Sequence, residues 1–524
     1  MSAPPPMDAS GSADDQAPML ACLASGTPFG SEACRRIDTH AASIFLSGDR
    51  AWKIKRAVRY PYLDFSTPER RKAALEAELR LNRRTAPDLY LGVHPVVRAG
   101  DQFTIGGTGE VVDWVLEMRR FPDGALLDER AGQEPLATSL LLRLAARVHA
   151  FHDQAEPMTD ARGADRFSHI LDGNADSLAP HAALFGDEKI AALLRDQRRI
   201  CQGYAALLDA RGRDGRIRHV HGDLHLANIA LVDGEPTPFD CLEFSEELAT
   251  TDVLYDLAFL LMDLWDRGRR ADANLVFNHY IDLSADEEGV RLLPLFLSVR
   301  ATIRAHVLAA THARTGNAAA AERARAFLDL AERLIVATPA GLIAVGGLSG
   351  TGKSALARAL GADFGTAPGA RILRSDVLRK RLAGVPLDQR LSPALYTPLA
   401  SRTVYHLLYD LAAQHLSTGI YVIADAVFAD SGERAAIART AAHAQVPFVG
   451  LWLEAPEALR LERVGERRGD ASDADAGVVR AQSHYRAEPL GEWHPLRADR
   501  PLGTVAADAK ADILSTLRRG RGID

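Results

Sequence analysis

The chain has 524 residues, of which 47% are hydrophobic and 25% charged, as in a globular protein with a substantial core. The net charge is −7, from 62 basic and 69 acidic side chains, which argues against a nucleic-acid partner because such proteins carry a basic excess. Four cysteines without a C-x-x-C spacing indicate neither a zinc site nor a disulfide framework. No apolar run reaches the ~18 residues of a membrane span, and no basic residue precedes Arg35 to form a secretory leader, so we expect a cytoplasmic protein without a membrane partner.

Changes in composition divide the chain into four segments. Residues 1–18 are rich in Pro, Ser, Ala and Asp and are predicted to form a disordered tail. Residues 19–337 begin with strand patterns and become mostly helical, which predicts a first domain. Residues 338–341, Thr-Pro-Ala-Gly, are predicted to be a linker. In residues 342–524 apolar strands alternate with helices, which predicts a second domain with a parallel sheet.

A predicted hairpin carries the first candidate binding residue. The runs SIFL and AWKIK flank a Ser-Gly-Asp-Arg turn, and the second run places Lys53 and Lys55 on one face of a strand. In kinases a lysine in this position orients the nucleotide phosphates and pairs with a glutamate of the next helix. We prefer Lys53 over Lys55 and Glu78 over Glu76, although the sequence leaves both alternatives open. No glycine-rich loop precedes the hairpin.

The segment from His221 to Asn228 preserves the H-x-D-x-x-x-x-N spacing of a kinase catalytic loop. In such a loop Asp223 would accept the proton of the substrate hydroxyl, and Asn228 would bind Mg²⁺. The residues that follow predict a hairpin that returns a second carboxylate, Asp240, to the same site as a metal ligand. Asp240 is followed by Cys-Leu in place of the Phe-Gly of regulated protein kinases, which favours a small-molecule kinase.

The most apolar helix candidate is Val253–Trp265. We predict that it belongs to the core and that its Asp256 anchors the catalytic loop structurally. His149 and His152 lie one helical turn apart without an evident third ligand, and we predict that they are packing residues.

The second domain opens with the strongest motif of the chain. Gly347 to Ser354 fits G-x-x-x-x-G-K-[ST], directly after a strand pattern and before a helix pattern. Gly347, Gly350 and Gly352 would let backbone N–H groups approach phosphate oxygens at the start of a helix. Lys353 would contact the β- and γ-phosphates and Ser354 the Mg²⁺ ion, so the motif predicts ATP binding.

The layout around this motif resembles the small P-loop kinases of the gluconate kinase, chloramphenicol phosphotransferase and zeta-toxin type. The second strand ends in Arg-Ser-Asp, the third ends at Asp425, and a later helix carries spaced arginines. The resemblance implies that Asp376 orients or deprotonates the acceptor hydroxyl, and that Arg463 and Arg467 are lid residues for the transferred phosphoryl group. Asp425 either holds Mg²⁺ through water or caps the next turn, and the arginine helix also fits a solvated face.

Taken together, LSGDRAWKIK, HGDLHLANI, DCLEF and GGLSGTGKS resemble a bacterial two-domain family, an aminoglycoside phosphotransferase-like half fused to a P-loop kinase domain. The resemblance implies a bilobal α+β protein-kinase-like domain followed by an α/β P-loop domain with a parallel sheet. It also implies an ATP- and Mg²⁺-dependent phosphotransferase that acts on a hydroxyl of an unidentified small molecule. A rival hypothesis is a regulatory ATP-hydrolysing switch in which the kinase-like half binds a ligand.

Overall fold

The computed structural model describes residues 13–30, 34–39, 41–60, 63–100, 102–158, 162–466, 471–482 and 490–520. The chain forms two compact units, which are Met1–Arg162 with Ala210–Leu257 and Gly163–Asp209 with Ala258–Asp524. The kinase-like loop motif lies in the first unit, and the P-loop motif lies in the second.

The first unit contains a six-stranded antiparallel sheet in the order β1-β2-β3-β8-β6-β7. The predicted hairpin is confirmed as β2 and β3, with Ser47 opposite Arg50 across the turn. Helix α2 begins after Thr67, whose side chain accepts the N–H of Arg70, and it packs on β6 and β8. The elements of this part are α1 (Ala13–Ala24), β1 (Arg35–Asp38), β2 (Ala42–Ser47), β3 (Arg50–Lys55), β4 (Arg59–Tyr60), β5 (Leu63–Asp64), α2 (Pro68–Asn82), β6 (Tyr90–Ala99), β7 (Gln102–Ile105) and β8 (Glu110–Arg119).

Helix α1 begins within the segment that composition assigned to a disordered tail. Its Met19, Leu20 and Leu23 are buried in an apolar cluster with residues of the sheet. Gln16 is buried as well, and its amide donates to Asp113 Oδ2 at 2.7 Å and accepts the N–H of Ala57 at 2.7 Å. Three buried apolar side chains and the bonds of Gln16 therefore hold this helix on the sheet.

The chain is mostly helical after the sheet, as predicted. Two short antiparallel pairs, β9 with β12 and β10 with β11, interrupt the helices. Helix α10 is buried over nearly its whole length, which confirms its assignment to the core. The elements are α3 (Leu127–Gln133), α4 (Thr138–Gln154), α5 (Gly163–Leu178), α6 (Ala182–Phe185), α7 (Asp187–Gly203), α8 (Ala205–Arg213), β9 (Ile217–His219), β10 (Ile229–Val232), β11 (Glu235–Pro238), α9 (Glu246–Ala249), β12 (Thr250–Asp252), α10 (Val253–Asp266), α11 (Arg270–Ser284), α12 (Leu293–Thr315) and α13 (Ala318–Leu334).

Among the residues that the structure describes, one helical stretch, Glu288–Thr315, is long and apolar enough to span a membrane by length and composition. Its most apolar window has a mean hydropathy of 1.4, and 67% of that window is buried inside the protein. A core helix passes the same test, so the stretch is weak evidence for a membrane. Arg300 and Arg304 divide its apolar residues, as Asp256 and Asp263 divide those of Val253–Trp265.

The second unit contains a five-stranded sheet in the order β14-β15-β13-β16-β17, and every neighbouring pair is parallel. Four of these strands were predicted from their apolar runs, whereas β17 has a proline and a mostly exposed face and was missed. The α+β and parallel α/β fold classes are both confirmed. The elements are β13 (Leu342–Gly347), α14 (Lys353–Gly361), β14 (Arg371–Arg374), α15 (Ser375–Ala383), α16 (Pro398–Ser417), β15 (Val422–Asp425), α17 (Ser431–His443), β16 (Phe448–Glu454), α18 (Glu457–Glu466), α19 (Ala476–Gln482), β17 (His494–Arg497) and α20 (Leu502–Gly520).

Apolar clusters cover both faces of the parallel sheet. Alternate residues of β13 enter different clusters, with Ile343 and Val345 in one and Leu342 and Ala344 in the other. Both faces of a strand are buried in this way when helices cover the sheet on both sides. The carboxyl ends of the strands remain as the open edge at which α/β proteins bind ligands.

Gly450 on β16 is expected to tolerate no side chain. A Cβ atom there would lie 2.4 Å from the side chain of the buried Trp493, so the ring or the strand would have to move. We expect Gly450→Ala to lower the free energy of unfolding by about 1–3 kcal/mol, measured by urea denaturation. Gly503→Ala on α20, where a Cβ meets nothing within 4 Å, is the matched control. An equal shift for both variants would contradict the packing argument.

Candidate active sites

The kinase-like loop of the first unit is held by a buried carboxylate at the start of α10. Asp256 accepts the N–H groups of His221 at 3.2 Å and Gly222 at 2.8 Å, and it pairs with the buried His152 at 3.0 Å. Gly222 has a φ of +82°, and a Cβ there would lie 2.9 Å from the Leu242 side chain. The predicted role of Asp256 as a structural anchor is confirmed.

In this loop region Asp223 is hydrogen-bonded to Asn228, and it lies close enough to Asp240 to raise the pKa of that carboxyl. Asn228 Nδ2 donates to the main-chain oxygen of Asp223 at 3.0 Å and to its Oδ2 at 2.9 Å. The predicted hairpin is present as β10 and β11, and Asp240 follows it with a φ of +62°. The N–H of Asp240 donates to the hydroxyl of Tyr90 at 3.0 Å, which fixes the start of the following segment. The Asp223 and Asp240 side chains are 39% and 41% exposed, so a ligand can reach both.

Glu78 on α2 joins both lysines of β3. Lys53 Nζ lies 2.7 Å from Glu78 Oε1, and Lys55 Nζ lies 2.6 Å from Glu78 Oε2. Lys53 also contacts Asp240 Oδ1 at 2.7 Å, whereas Lys55 contacts Glu243 Oε1 at 2.5 Å. Of the two lysines that the sequence could not separate, Lys53 is thus the one joined to the second carboxylate of the loop region. Glu76, the alternative to Glu78, is 53% exposed and lies 3.6 Å from Lys72.

Lys53 and the carboxylates beside it stabilise the charged forms of one another. Burial disfavours the charged form of Lys53, but Asp240 and Glu78 outweigh burial and hold the pKa of Lys53 well above its usual value. Burial likewise raises the pKa of Asp240, while Lys53 lowers it, and the net effect is a lowered pKa. The Lys53 ammonium group and the Asp240 carboxylate therefore both carry their charge at neutral pH.

The P-loop of the second unit has the predicted strand–loop–helix form. Gly347, Gly350 and Gly352 have φ values of +137°, +84° and +97°, which glycine adopts without strain. A Cβ on Gly347 would lie 2.7 Å from the Leu453 main-chain oxygen, and one on Gly350 would lie 2.5 Å from that of Arg460. The backbone at Gly347 and Gly350 is thus packed too tightly to accept a side chain.

Behind the P-loop, polar side chains meet at the carboxyl ends of β14 and β15. Ser354 Oγ donates to the buried Asp425 Oδ2 at 2.5 Å. Arg374, the last residue of β14, donates to Ser354 Oγ at 3.3 Å and lies 3.5 Å from Asp425 Oδ2. Lys353 Nζ donates to the main-chain oxygen of Leu348 at 3.1 Å. The next helix, α17, takes its cap from Asp430.

A cavity of about 970 Å³ opens in front of these groups. It is lined by the P-loop together with Asp376, in the first turn of α15, and Arg463 on α18. Arg463 donates to the main-chain oxygens of Thr351 at 3.2 Å and Ala498 at 2.8 Å. Arg467, the other predicted lid residue, lies outside the described residues.

Sequence patterns did not single out two polar residues of this cavity. Gln482 on α19 accepts the N–H of Ser349 in the P-loop at 2.7 Å, although no motif marks it. Asp473 accepts from the hydroxyl of Tyr396 and from the N–H of Leu391, both at 2.8 Å. These contacts join residues that lie far apart in the chain, so spacing carries no signal for them.

The contrast between Glu78 and Glu76 gives a test of the lysine cluster. Glu78→Gln removes the charge that faces two buried ammonium groups, and we expect the free energy of unfolding to fall by about 3 kcal/mol. Glu76→Gln removes an exposed partner only, so its expected change is below about 0.5 kcal/mol. Urea denaturation of the full chain measures both. Similar losses for the two variants would show that the buried contacts do not contribute as the distances indicate.

Two family models match the chain. Residues 49–293 match the model described as "Phosphotransferase enzyme family", and residues 342–489 match the model described as "AAA domain". The chain is also 31% identical to the uncharacterized protein Rv2004c of Mycobacterium tuberculosis over 459 residues, which cover 86% of this chain and 90% of that protein.

Two solved structures are similar to parts of the chain. A choline/ethanolamine kinase family protein from Mesorhizobium loti is 15% identical, with a TM-score of 0.39, and the match covers 60% of this chain and 94% of that one. A gluconokinase from Sinorhizobium meliloti is 20% identical, with a TM-score of 0.26, and the match covers 33% and 92%. The family models and the relative matched along most of its length carry the assignment. The chain belongs to a bacterial two-domain phosphotransferase family with an aminoglycoside phosphotransferase-like N-terminal half fused to a P-loop kinase domain.

Proposed function

We propose that the protein is an ATP- and Mg²⁺-dependent kinase that transfers a phosphoryl group to a hydroxyl of a small molecule, with a nucleotide site in each half. The observation that carries the proposal is that Lys53 of β3 contacts Asp240, which lies close enough to Asp223 to sense its charge, while Asn228 of the loop holds Asp223. Phosphoryl transfer needs little covalent chemistry from a protein, and it depends on positioning and on charge neutralisation.

In the first unit we assign Asp223 as the base. Asn228 donates to Asp223 Oδ2 at 2.9 Å, and this bond orients the carboxylate that would accept the hydroxyl proton of the acceptor. Lys53 is assigned to the nucleotide phosphates, and Glu78 fixes the direction of its ammonium group. Because Lys53 also faces Asp240, a bound nucleotide would take over part of the contact that this carboxylate now makes.

In the second unit we assign the P-loop and Lys353 to the phosphates of ATP. Asp376 is assigned as the base for an acceptor in the same cavity, and Arg463 as a lid residue. Arg467 keeps its predicted lid role as part of this proposal. Arg374 adds a cation beside Ser354 and Asp425 that the motif alone does not include.

The oxygen donors present fit Mg²⁺ bound jointly with nucleotide phosphates. Asn228 uses its amide nitrogen for Asp223, which leaves the amide oxygen to join Asp240 as a metal ligand. Ser354 Oγ and Asp425 form the corresponding pair in the second unit. Within the described ranges, no group of three or more His, Cys, Asp or Glu side chains forms a metal cage, and Mg²⁺ bound through phosphates needs none. The ion would neutralise charge on the transferred phosphoryl group.

The regulatory switch remains the second candidate, and one feature of the first unit favours it. The sequence between β1 and β2, residues 39–41, contains no glycine, and no glycine-rich motif of the protein-kinase form precedes the hairpin. A switch would hydrolyse ATP without forming a phosphorylated product. For either function we propose a cytoplasmic protein, which the four free cysteines support.

Single substitutions in the full chain separate the two sites. We expect Asp223→Asn to abolish phosphorylation by the first unit, with a loss of at least about 10²-fold, and to leave ATP binding intact. Asp376→Asn is expected to remove transfer by the second unit in the same way. The assay is ATP consumption with a pooled metabolite and aminoglycoside panel, and mass spectrometry detects a product heavier by one phosphoryl group.

The outcomes discriminate between the two functions. A product that persists in Asp376→Asn and disappears in Asp223→Asn identifies the first unit as its source. Undiminished product formation in the doubly substituted chain would contradict the base assignment in the unit that forms the product. ATP loss without any phosphorylated product, in the unmodified chain, would replace the kinase proposal by the switch.

A further inference from the structure

A fully buried arginine opens the edge strand β14 of the parallel sheet. All five N–H donors of the Arg371 guanidinium are used. Two of them go to the Glu287 carboxylate, at 2.9 Å each, and one goes to Asp282 Oδ1 at 2.7 Å. The other two go to Asn278 Oδ1 at 3.0 Å and to the main-chain oxygen of Ile372 at 2.9 Å. This geometry fixes the strand end in position and direction.

The Glu287 carboxylate contacts side chains from three elements of the P-loop half. Besides Arg371 on β14, it accepts from Arg381 Nη1 on α15 at 2.5 Å and lies 2.9 Å from His415 Nε2 on α16. Burial raises the pKa of the Glu287 carboxyl, but Arg371 and His415 outweigh burial and hold that pKa well below its usual value. A buried carboxylate thus ties together the strand and the two helices around it.

The backbone of the P-loop half also packs closely on α11. Asn274 donates to the main-chain oxygens of Pro368 and Ala370 at 3.0 Å each. Asn278 Oδ1 accepts the N–H of Ile372 at 2.7 Å. A Cβ on Gly361 would lie 2.1 Å from Asn274, so the two surfaces meet without a gap. Two amides of α11 thereby satisfy backbone groups at the sheet edge.

These contacts cross the boundary between the two family matches. Asn274, Asn278, Asp282 and Glu287 all lie within residues 49–293, the match to the phosphotransferase family, whereas their partners lie within residues 342–489. Helix α11 and the turn after it therefore form one wall of the neighbouring P-loop half.

The short strand β14 leads from this wall to the P-loop site. It runs from Arg371 to Arg374, which contacts Ser354 and Asp425, and α15 with Asp376 follows directly. Arg381 fixes the other end of α15 to the same Glu287 carboxylate. A displacement of Glu287 would thus be transmitted along a rigid strand and one short helix to the proposed base.

We infer that Glu287 is a positioning residue for the P-loop site, and that α11 and the turn after it, which belong by family match to the phosphotransferase-like half, are required for phosphoryl transfer or ATP turnover at that site. This inference rests on the proposed nucleotide function of the second unit. Glu287 acts through Arg371 and Arg381 on Asp376 and Arg374, while the phosphate cradle itself belongs to β13 and α14. Its removal therefore impairs turnover and spares nucleotide affinity.

Glu287→Gln in the full chain tests the inference, and Glu288→Gln is the matched control. The Glu288 side chain is 62% exposed, and its carboxylate pairs with Arg291. Both changes are made in an Asp223→Asn background, so that turnover reports the P-loop site. We expect Glu287→Gln to lower kcat by about tenfold or more, because a misplaced reacting group costs rate. The Kd of a non-hydrolysable ATP analogue should change less than about twofold, and Glu287→Asp should restore part of kcat.

Hydrogen exchange gives a second readout that needs no turnover. With the ATP analogue bound, Glu287→Gln should speed exchange in α15 while α14 stays protected, and Glu288→Gln should match the unmodified chain. Equal exchange in α15 and equal kcat for Glu287→Gln and Glu288→Gln would overturn the inference.

If Glu287→Gln does not fold, His415→Gln removes a single partner of Glu287, and its expected effect is a smaller loss of kcat at unchanged Kd. Absent turnover in the Asp223→Asn background, with altered exchange in α15, would count against the proposed function alone.

Discussion

Arg371 can stay buried only while carboxylates face it, and this constraint shapes the whole second unit. A guanidinium group without compensating charge in a protein interior costs several kcal/mol. Asp282 supplies that charge from the end of α11, and Glu287 supplies it from the turn after α11. Arg381 on α15 and His415 on α16 contact the same Glu287 carboxylate, so both helices must lie where these side chains can reach it. The position of the P-loop site thus follows from a charge balance at some distance from the phosphate cradle.

The first unit uses the same principle with a different outcome. Glu78 is fully buried between Lys53 and Lys55, and Asp256 is fully buried beneath the loop that carries Asp223. These inner carboxylates fix the elements, whereas Asp223 and Asp240 at the outer end remain partly exposed. The buried carboxylates hold their elements in place, while the partly exposed carboxylates remain accessible to a ligand. Phosphoryl transfer depends on such positioning of accessible groups.

The sequence predicted those parts of both sites whose residues are close together in the chain. The P-loop and the H-x-D-x-x-x-x-N loop are local, because each lies within eight residues, and the P-loop has the predicted strand–loop–helix form. The pairing of Lys53 with Glu78 rather than Glu76 was favoured but needed the helix orientation to be resolved. The network around Arg371 was not predicted, because Glu287 lies 84 positions earlier in the chain and no spacing rule connects the two residues. The burial of Gln16 was not predicted for a similar reason, since its partners Asp113 and Ala57 are distant in sequence.

The family matches and the compact units divide this chain differently, and charge burial explains why. The stretch 338–341 separates the two family matches, yet residues 258–337 form one compact unit with the P-loop half. A cut at 338–341 would leave Arg371, Arg381 and His415 without Glu287, and it would expose the backbone groups that Asn274 and Asn278 satisfy. The P-loop half of this protein is therefore complete only with α11 and the turn after it, although those residues belong by sequence to the other half.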